Sequence, residues 1–145
     1  MSLVRHTTLR AGPAALAGRR YRDADLSQRI AAATPHELVV MLYNGGSDAL
    51  AAAARATAAD DAAGRVAGAT RALRILDALD AALDHGRGGA VARALTAAYA
   101  QVRAVTIAAN YERRDELFSA AAAQLANLGR GWSAIGAACD QRAAA

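Results

Sequence analysis

The fold is decided at residues 34–45, which read TPHELVVMLYNG. Thr34 suits the N-cap position of a helix, and Pro35 suits its first turn because proline has no N–H to leave unpaired there. Glu37 stands three residues after the cap, where its side chain can complete a capping box. Apolar residues then follow at helical spacing. The stretch therefore predicts a helix that begins at residue 35 and runs to about Ala59.

Three further helices are predicted downstream of this one. Asp60 and Asp61 offer the next N-cap, and the second helix is expected to continue to about His85 and to end at Gly86, where glycine can adopt a left-handed conformation. The glycine-rich run 86–89 is the clearest break in the chain.

The third helix is expected over roughly residues 90–110, and the fourth follows residues 111–114. Each repeats a narrow apolar stripe, as a helix with one buried face should. The stripes consist of Val91, Leu95, Ala98, Val102 and Val105 in the third helix, and of Leu117, Ala121, Leu125, Leu128, Trp132 and Ile135 in the fourth.

Four helices with short links favour an antiparallel bundle, and no run alternates as a half-buried strand would. We therefore expect an all-α fold, an antiparallel four-helix bundle with a short helical or extended cap segment at its N-terminus. The expected organisation is a flexible basic arm over residues 1–20, a helical bundle domain over 21–138 that includes a short docking helix at 21–33, and a frayed tail over 139–145.

The positive charge is concentrated at the N-terminus. The formal net charge is +4, and residues 1–34 hold six arginines against two aspartates, while the charges of the remaining chain cancel. A nucleic-acid-binding body needs a basic face. We therefore expect no nucleic acid as a partner of the bundle, with binding through the arginine-rich arm as a weaker alternative. Lysine is absent, which excludes lysine-based covalent catalysis.

Signals for a membrane or an oxidising compartment are missing. The single Cys139 cannot form an intramolecular disulfide. No 18-residue apolar span is free of charge, and Arg5 and Arg10 are not followed by the continuous apolar stretch of a secretory signal. We expect a cytoplasmic protein with no membrane partner.

Residue types that carry catalysis or bind metals do not cluster. The only histidines are His6, His36 and His85, and none has a second histidine or a glutamate at metal-ligand spacing. The run 86–89 lacks the Gly-Lys-Ser/Thr ending of a phosphate loop and the strand that precedes one. The carboxylates are scattered over polar faces. We expect no enzymatic activity, no cofactor and no metal.

The second helix has more apolar surface than one bundle seam needs. Leu73, Ile75, Leu76, Leu79 and Leu83 spread over about 160° at about 100° per residue, whereas a seam uses about 100°. The excess could pack against the N-terminal arm or a fifth segment, or it could line a groove for an amphipathic partner helix. The pattern leaves both interpretations open.

The candidate partner-binding residues combine this face with the first helix and the arm. Tyr21 and Ile30 are expected to cover the groove in the free protein, although a tyrosine beside a core stripe is commonly a packing residue. The full candidate set is Tyr21, Ile30, Leu38, Met41, Leu42, Tyr43, Leu73, Leu76 and Leu79.

Tyr21, Ile30 and the run 34–45 together resemble the opening of the FliS-type flagellar secretion chaperones. Their pattern is an upstream tyrosine, a small-residue/proline/acid cap, then leucine, Met-Leu-Tyr, aspartate or asparagine, and glycine. The resemblance covers about residues 21–135. A later set is similar in order and spacing: Leu79, Leu83, Gly88, Gly89, Leu95, Tyr99, Ala109, Asn110, Leu125 and Trp132.

The resemblance implies a cytoplasmic chaperone that binds the C-terminal segment of flagellin, partly as helices in apolar grooves, and keeps it from polymerising before delivery to the export apparatus. It makes flagellin and components of the flagellar export gate the expected partners. We also expect a monomer or weak homodimer. The alternative left open is a helical adaptor or structural bundle for another amphipathic partner.

Overall fold

The computed structural model describes the backbone of residues 13–144 and the side chains of residues 21–136. Within this range the chain is helical and has no strand, which confirms the all-α class. The five helices are α1 (Pro13–Ala32), α2 (Pro35–Ala58), α3 (Ala62–Ala81), α4 (His85–Glu112) and α5 (Asp115–Ala144). None of these helices combines the length and apolarity that crossing a bilayer requires.

The chain divides into two units, one of residues Met1–Thr34 and one of residues Pro35–Ala145. The first contains α1, which includes the predicted docking helix at 21–33 and reaches back to Pro13, into the segment predicted as an arm. The rest of that arm, residues 1–12, lies outside the described residues. The side chains of the predicted tail, 139–145, also lie outside them.

The start of α3 is as predicted, and its end is not. Asp61 is the N-cap, and its carboxylate accepts a hydrogen bond of 3.0 Å from the Gly64 N–H. The helix was expected to reach His85, but it ends at Ala81. The reason lies three residues further on, where Asp84 caps the next helix by accepting a 3.1 Å hydrogen bond from the Arg87 N–H.

The predicted break at 86–89 is confined to one residue. The first turn of α4 begins at His85, and Gly89 alone departs from helical geometry, with φ of 50° and ψ of −122°. A positive φ of this kind is open to glycine because glycine has no Cβ. The helix then continues to Glu112, and the left-handed Arg113 separates it from α5, as the predicted boundary at 111–114 requires.

Helices α2 to α5 form the predicted bundle. α2 packs closely against α3 and α5, whereas α4 packs less closely against the same two helices, on the side opposite α2. The start of α2 meets the end of α5, where His36 stacks on Trp132, so these neighbours are antiparallel. The fully buried side chains at the centre include Tyr43, Leu50, Leu76, Leu79, Val102, Phe118 and Leu125.

Small residues set the close approach of α2 to its neighbours. A Cβ placed on Gly68 of α3 would lie 2.8 Å from the Ala49 carbonyl oxygen of α2. A Cβ on Gly129 of α5 would lie 2.9 Å from the Tyr43 Cβ. Because α4 is held further away, apolar space remains at its flanks near its N-terminus.

Candidate partner-binding groove

An apolar groove runs beside the N-terminal half of α4. Lobe A is a cavity of about 370 Å³ at the connection between α3 and α4, lined mainly by Leu83, Val91, Ala92, Leu95 and Trp132. Lobe B is a cavity of about 240 Å³ between α4 and α5, lined mainly by Val91, Leu95, Leu128, Trp132 and Ile135. Since both lobes share Val91, Leu95 and Trp132, they form one continuous surface, which we call the Trp132 groove.

The rim of the Trp132 groove is exposed and apolar. Val91 is 64% exposed and Ile135 is 56% exposed, on opposite sides of lobe B. Charged side chains border only lobe A, where Asp84 and Arg87 stand at its edge. A concave apolar surface with a short charged border matches the apolar face of an amphipathic helix.

Trp132 is held in place by contacts with His36. Its ring stacks on the His36 imidazole, with centroids 5.1 Å apart and planes 12° from parallel. Its indole N–H donates a 3.3 Å hydrogen bond to the His36 backbone carbonyl. The large apolar wall of the groove therefore depends on the first turn of α2, which the Pro35 helix start positions.

A buried hydroxyl pair lies under lobe B. Tyr43 of α2 lines that lobe, and its hydroxyl hydrogen-bonds the Tyr99 hydroxyl of α4 at 2.5 Å. Burial raises the pKa of Tyr43, against a smaller opposing effect of this hydrogen bond. Burial, then the same hydrogen bond and the nearby Asp80 charge, raise the pKa of Tyr99. Both hydroxyls therefore stay neutral at physiological pH.

The face between α2 and α5 is different in kind. Its cavity of about 500 Å³ is lined by Tyr43 and by polar or small residues that include Asn44, Ser47, Asp48 and Arg130. The Ser47 Oγ is buried there without a hydrogen-bond partner. This larger cavity does not suit an apolar stripe, because a partner would have to pair its polar groups.

The predicted partner-binding residues are spread over several environments. Leu38, Met41, Leu42 and Leu73 are half-buried, and of these Leu42 and Leu73 pack against the core. Tyr43, Leu76 and Leu79 are buried. Tyr21 and Ile30 are exposed on α1. Of the whole set, Tyr43 lines the Trp132 groove; a binding role for the others stays a prediction.

The wide apolar stripe of α3 has a structural explanation. α3 packs against α2 on one side and α4 on the other, so it buries two seams. Ile75 reaches the α2 glycines, and its Cδ1 would lie 3.4 Å from a Cβ placed on Gly45. Leu76 borders a small cavity beside Tyr99 of α4. The extra arc therefore reflects packing against two helices of the bundle, an arrangement that neither interpretation from the sequence named, and Leu83, at the end of the arc, also lines lobe A.

The sequence analysis missed five residues that line the groove, because it assigned them to seams of the bundle. They are Val91, Leu95, Leu128, Trp132 and Ile135. The sequence holds one signal that could have found them. The α4 stripe begins at the branched residue Val91, next to the glycine-rich run 86–89, and the α5 stripe ends at the branched residue Ile135. Across the part of the chain with described side chains, no group of His, Cys, Asp or Glu residues could hold a metal ion.

Comparison with known proteins identifies a single family. Residues 17–139 match the sequence model of the family described as Flagellar protein FliS. The flagellar secretion chaperone FliS of Salmonella typhimurium is 26% identical over 116 residues, which cover 79% of this chain and 86% of that protein. The flagellar secretion chaperone FliSB of Pseudomonas aeruginosa is 29% identical over 117 residues, covering 81% of this chain and 93% of that protein.

Proposed function

The chain belongs to the FliS family of flagellar proteins, and from that premise we propose that it is an export chaperone for flagellin. It binds the C-terminal helical segment of flagellin on the apolar surface of its bundle, prevents polymerisation in the cytoplasm, and aids delivery to the flagellar export apparatus. Both relatives carry the name flagellar secretion chaperone. The observation that supports a helical client is the exposed apolar Trp132 groove.

The groove has the surface chemistry that such a client needs. An amphipathic segment left free exposes its apolar stripe, and two such segments can bury their stripes against each other. Covering a side chain such as Val91 or Ile135 is worth roughly 1–2 kcal/mol, given that each is already partly shielded. Ordering the client costs part of this gain, so the complex is stable yet reversible at the export site.

The proposed contact surface extends beyond the groove to the sequence-derived set. Leu38, Met41, Leu42 and Leu73 keep part of their surface accessible and can touch a client directly. The buried Tyr43, Leu76 and Leu79 act instead as the support beneath the contact surface. The export gate is the proposed second partner, and the proposed resting state is a monomer or weak homodimer.

The N-terminal segment 1–33, which comprises the arm and the docking helix, is proposed to regulate access to the contact surface. On the sequence, Tyr21 and Ile30 are apolar side chains in a segment rich in arginine, and we propose that they cover part of the groove in the free protein. Deleting residues 1–33 should leave the unit Pro35–Ala145 folded and change its affinity for flagellin. Circular dichroism and calorimetry would measure the two effects, and unfolding of the truncated chain would contradict the idea of a removable cover.

Size-exclusion chromatography with a C-terminal flagellin fragment tests the proposed function. The chain and the fragment should elute together at about 0.1 M and at about 1 M salt, although the screening length falls from ~10 Å to ~3 Å over that range. A matched flagellin fragment that lacks the C-terminal segment is the control and should elute separately. No co-elution at either salt concentration would favour the adaptor alternative, and nucleic-acid binding that disappears at high salt would favour a role for the arm.

A further inference from the structure

Trp132 is the largest of the three side chains that line both lobes of the groove. Because this large ring lies where the two lobes meet, its orientation affects how distinct the two apolar cavities are. The indole packs against the core and also makes two contacts with one residue: it stacks on the His36 imidazole and donates a hydrogen bond to the His36 carbonyl. Only the first of these contacts depends on the side chain at position 36.

A glycine makes room for this arrangement. The His36 ring lies against Gly136 of α5, one helical turn after Trp132, and a Cβ at position 136 would overlap the imidazole ring. Gly136 is itself buried in a helix, where glycine is less favourable than alanine. The imidazole therefore occupies a slot between the indole and a helix backbone that has no side chain at that point.

We propose that His36 is a positioning residue for flagellin recognition, which holds Trp132 upright so that the client must present two apolar clusters, one for each lobe. The inference rests on the proposed function and goes beyond it, because it assigns client selection to a residue that lines neither lobe. A segment with a single continuous apolar patch would meet the indole edge instead of filling both cavities.

The energetic scale of the effect follows from the stacked contact. Aromatic pairs contribute enough to change an equilibrium by about 2- to 10-fold. In His36→Ala the backbone carbonyl remains available as an acceptor, but the indole loses its stacking partner and is less restrained. Position 36 lies in the first helical turn, where alanine is well tolerated. The helix start is therefore expected to survive the substitution.

Fluorescence of the free chain tests the positioning directly, because Trp132 is the only tryptophan. His36→Ala should increase iodide quenching and shift the emission to longer wavelength, and His36→Phe should restore both values because phenylalanine can stack in the same slot. Gly136→Ala should act like His36→Ala by displacing the imidazole. The matched control is Ser119→Ala, at an exposed position of the same helix that lines neither lobe; it should leave the quenching unchanged.

Calorimetry with the flagellin fragment then tests the consequence. His36→Ala should weaken the fragment about 2- to 10-fold, as expected for loss of an aromatic pair, and His36→Phe should bind like the original chain. Unchanged quenching in His36→Ala would overturn the inference, and so would increased quenching with unchanged affinity. Failure of the original chain to bind the fragment would overturn the proposed function, whereas the quenching data would still decide whether His36 positions Trp132.

Discussion

The buried pair of Tyr43 and Tyr99 gives a prediction in which two substitutions together cost less than either alone. The two hydroxyls hydrogen-bond each other between the opposed helices α2 and α4, and the side chains are 1% and 4% exposed. Tyr43→Phe leaves the Tyr99 hydroxyl buried without its partner, and Tyr99→Phe does the same to Tyr43. Each single variant should lose about 1–3 kcal/mol of unfolding free energy, the cost of one unsatisfied buried hydroxyl.

The double variant removes both hydroxyls, so no buried hydroxyl is left without a hydrogen-bond partner. Phenylalanine keeps the ring volume, so no cavity beyond the lost oxygen atoms opens, and the net change should be within about 0.5 kcal/mol of the original chain. The coupling energy of the double-mutant cycle is then at least as large as a single loss, and its sign shows that the hydroxyls act as a pair.

Urea unfolding followed by Trp132 fluorescence would measure this cycle, because Trp132 is the only tryptophan and belongs to the same unit, Pro35–Ala145, as both tyrosines. The slope with denaturant should stay constant across the four proteins, which checks that only stability has changed. Additive losses, with the double variant as unstable as the sum of the singles, would refute the reasoning and would mean that each hydroxyl has another partner.

Two further predictions concern stability. Gly68→Ala should be destabilising, since overpacking against the Ala49 carbonyl costs about 1–3 kcal/mol and exceeds the gain of about 1 kcal/mol in helix propensity. Gly131→Ala should show the gain in helix propensity alone. Equal melting temperatures for the two variants would contradict the close approach of α2 and α3. Stability should also fall at alkaline pH. The raised pKa values of Tyr43 and Tyr99 give a contribution that is fully present below the unfolded pKa of about 10 and is lost above it. The chain has no lysine that would titrate in the same pH range. The urea midpoint should therefore fall less steeply from pH 8 to 11 in the double variant Tyr43→Phe/Tyr99→Phe than in the original chain. An equally steep fall in the double variant would contradict this prediction.

The sequence predicted the helices well where the signals were local. The Thr34-Pro35-Glu37 start of α2 and the Asp61 cap of α3 depend on residues within one turn, and both boundaries were confirmed. The prediction of where α3 ends was wrong because two local signals competed. Gly86 can end a helix, but Asp84 caps the next helix first, and the carboxylate cap decided the boundary.

The position of the groove could not be predicted because it depends on distances between helices. The apolar arc of α3 suggested surplus surface, but packing on two sides accounts for it except at Leu83, which lines lobe A. The Trp132 groove arises because α4 stands further from its neighbours than α2 does, and that difference comes from opposing residues such as Gly68 and Ala49. A one-dimensional stripe shows which residues turn inward, but it does not show how far away the next helix lies.

The most direct test of the central claim compares two exposed residues of the same helix. Val91, at the rim of the Trp132 groove, is 64% exposed, and Ile107, which does not line that groove, is 52% exposed. Isothermal titration of the flagellin C-terminal fragment into Val91→Glu should show affinity at least about tenfold weaker, since a carboxylate would be buried unpaired by the client. Ile107→Glu should bind like the original chain. Equal binding by Val91→Glu and the original chain, or an equal loss in both variants, would contradict the claim that this groove receives flagellin.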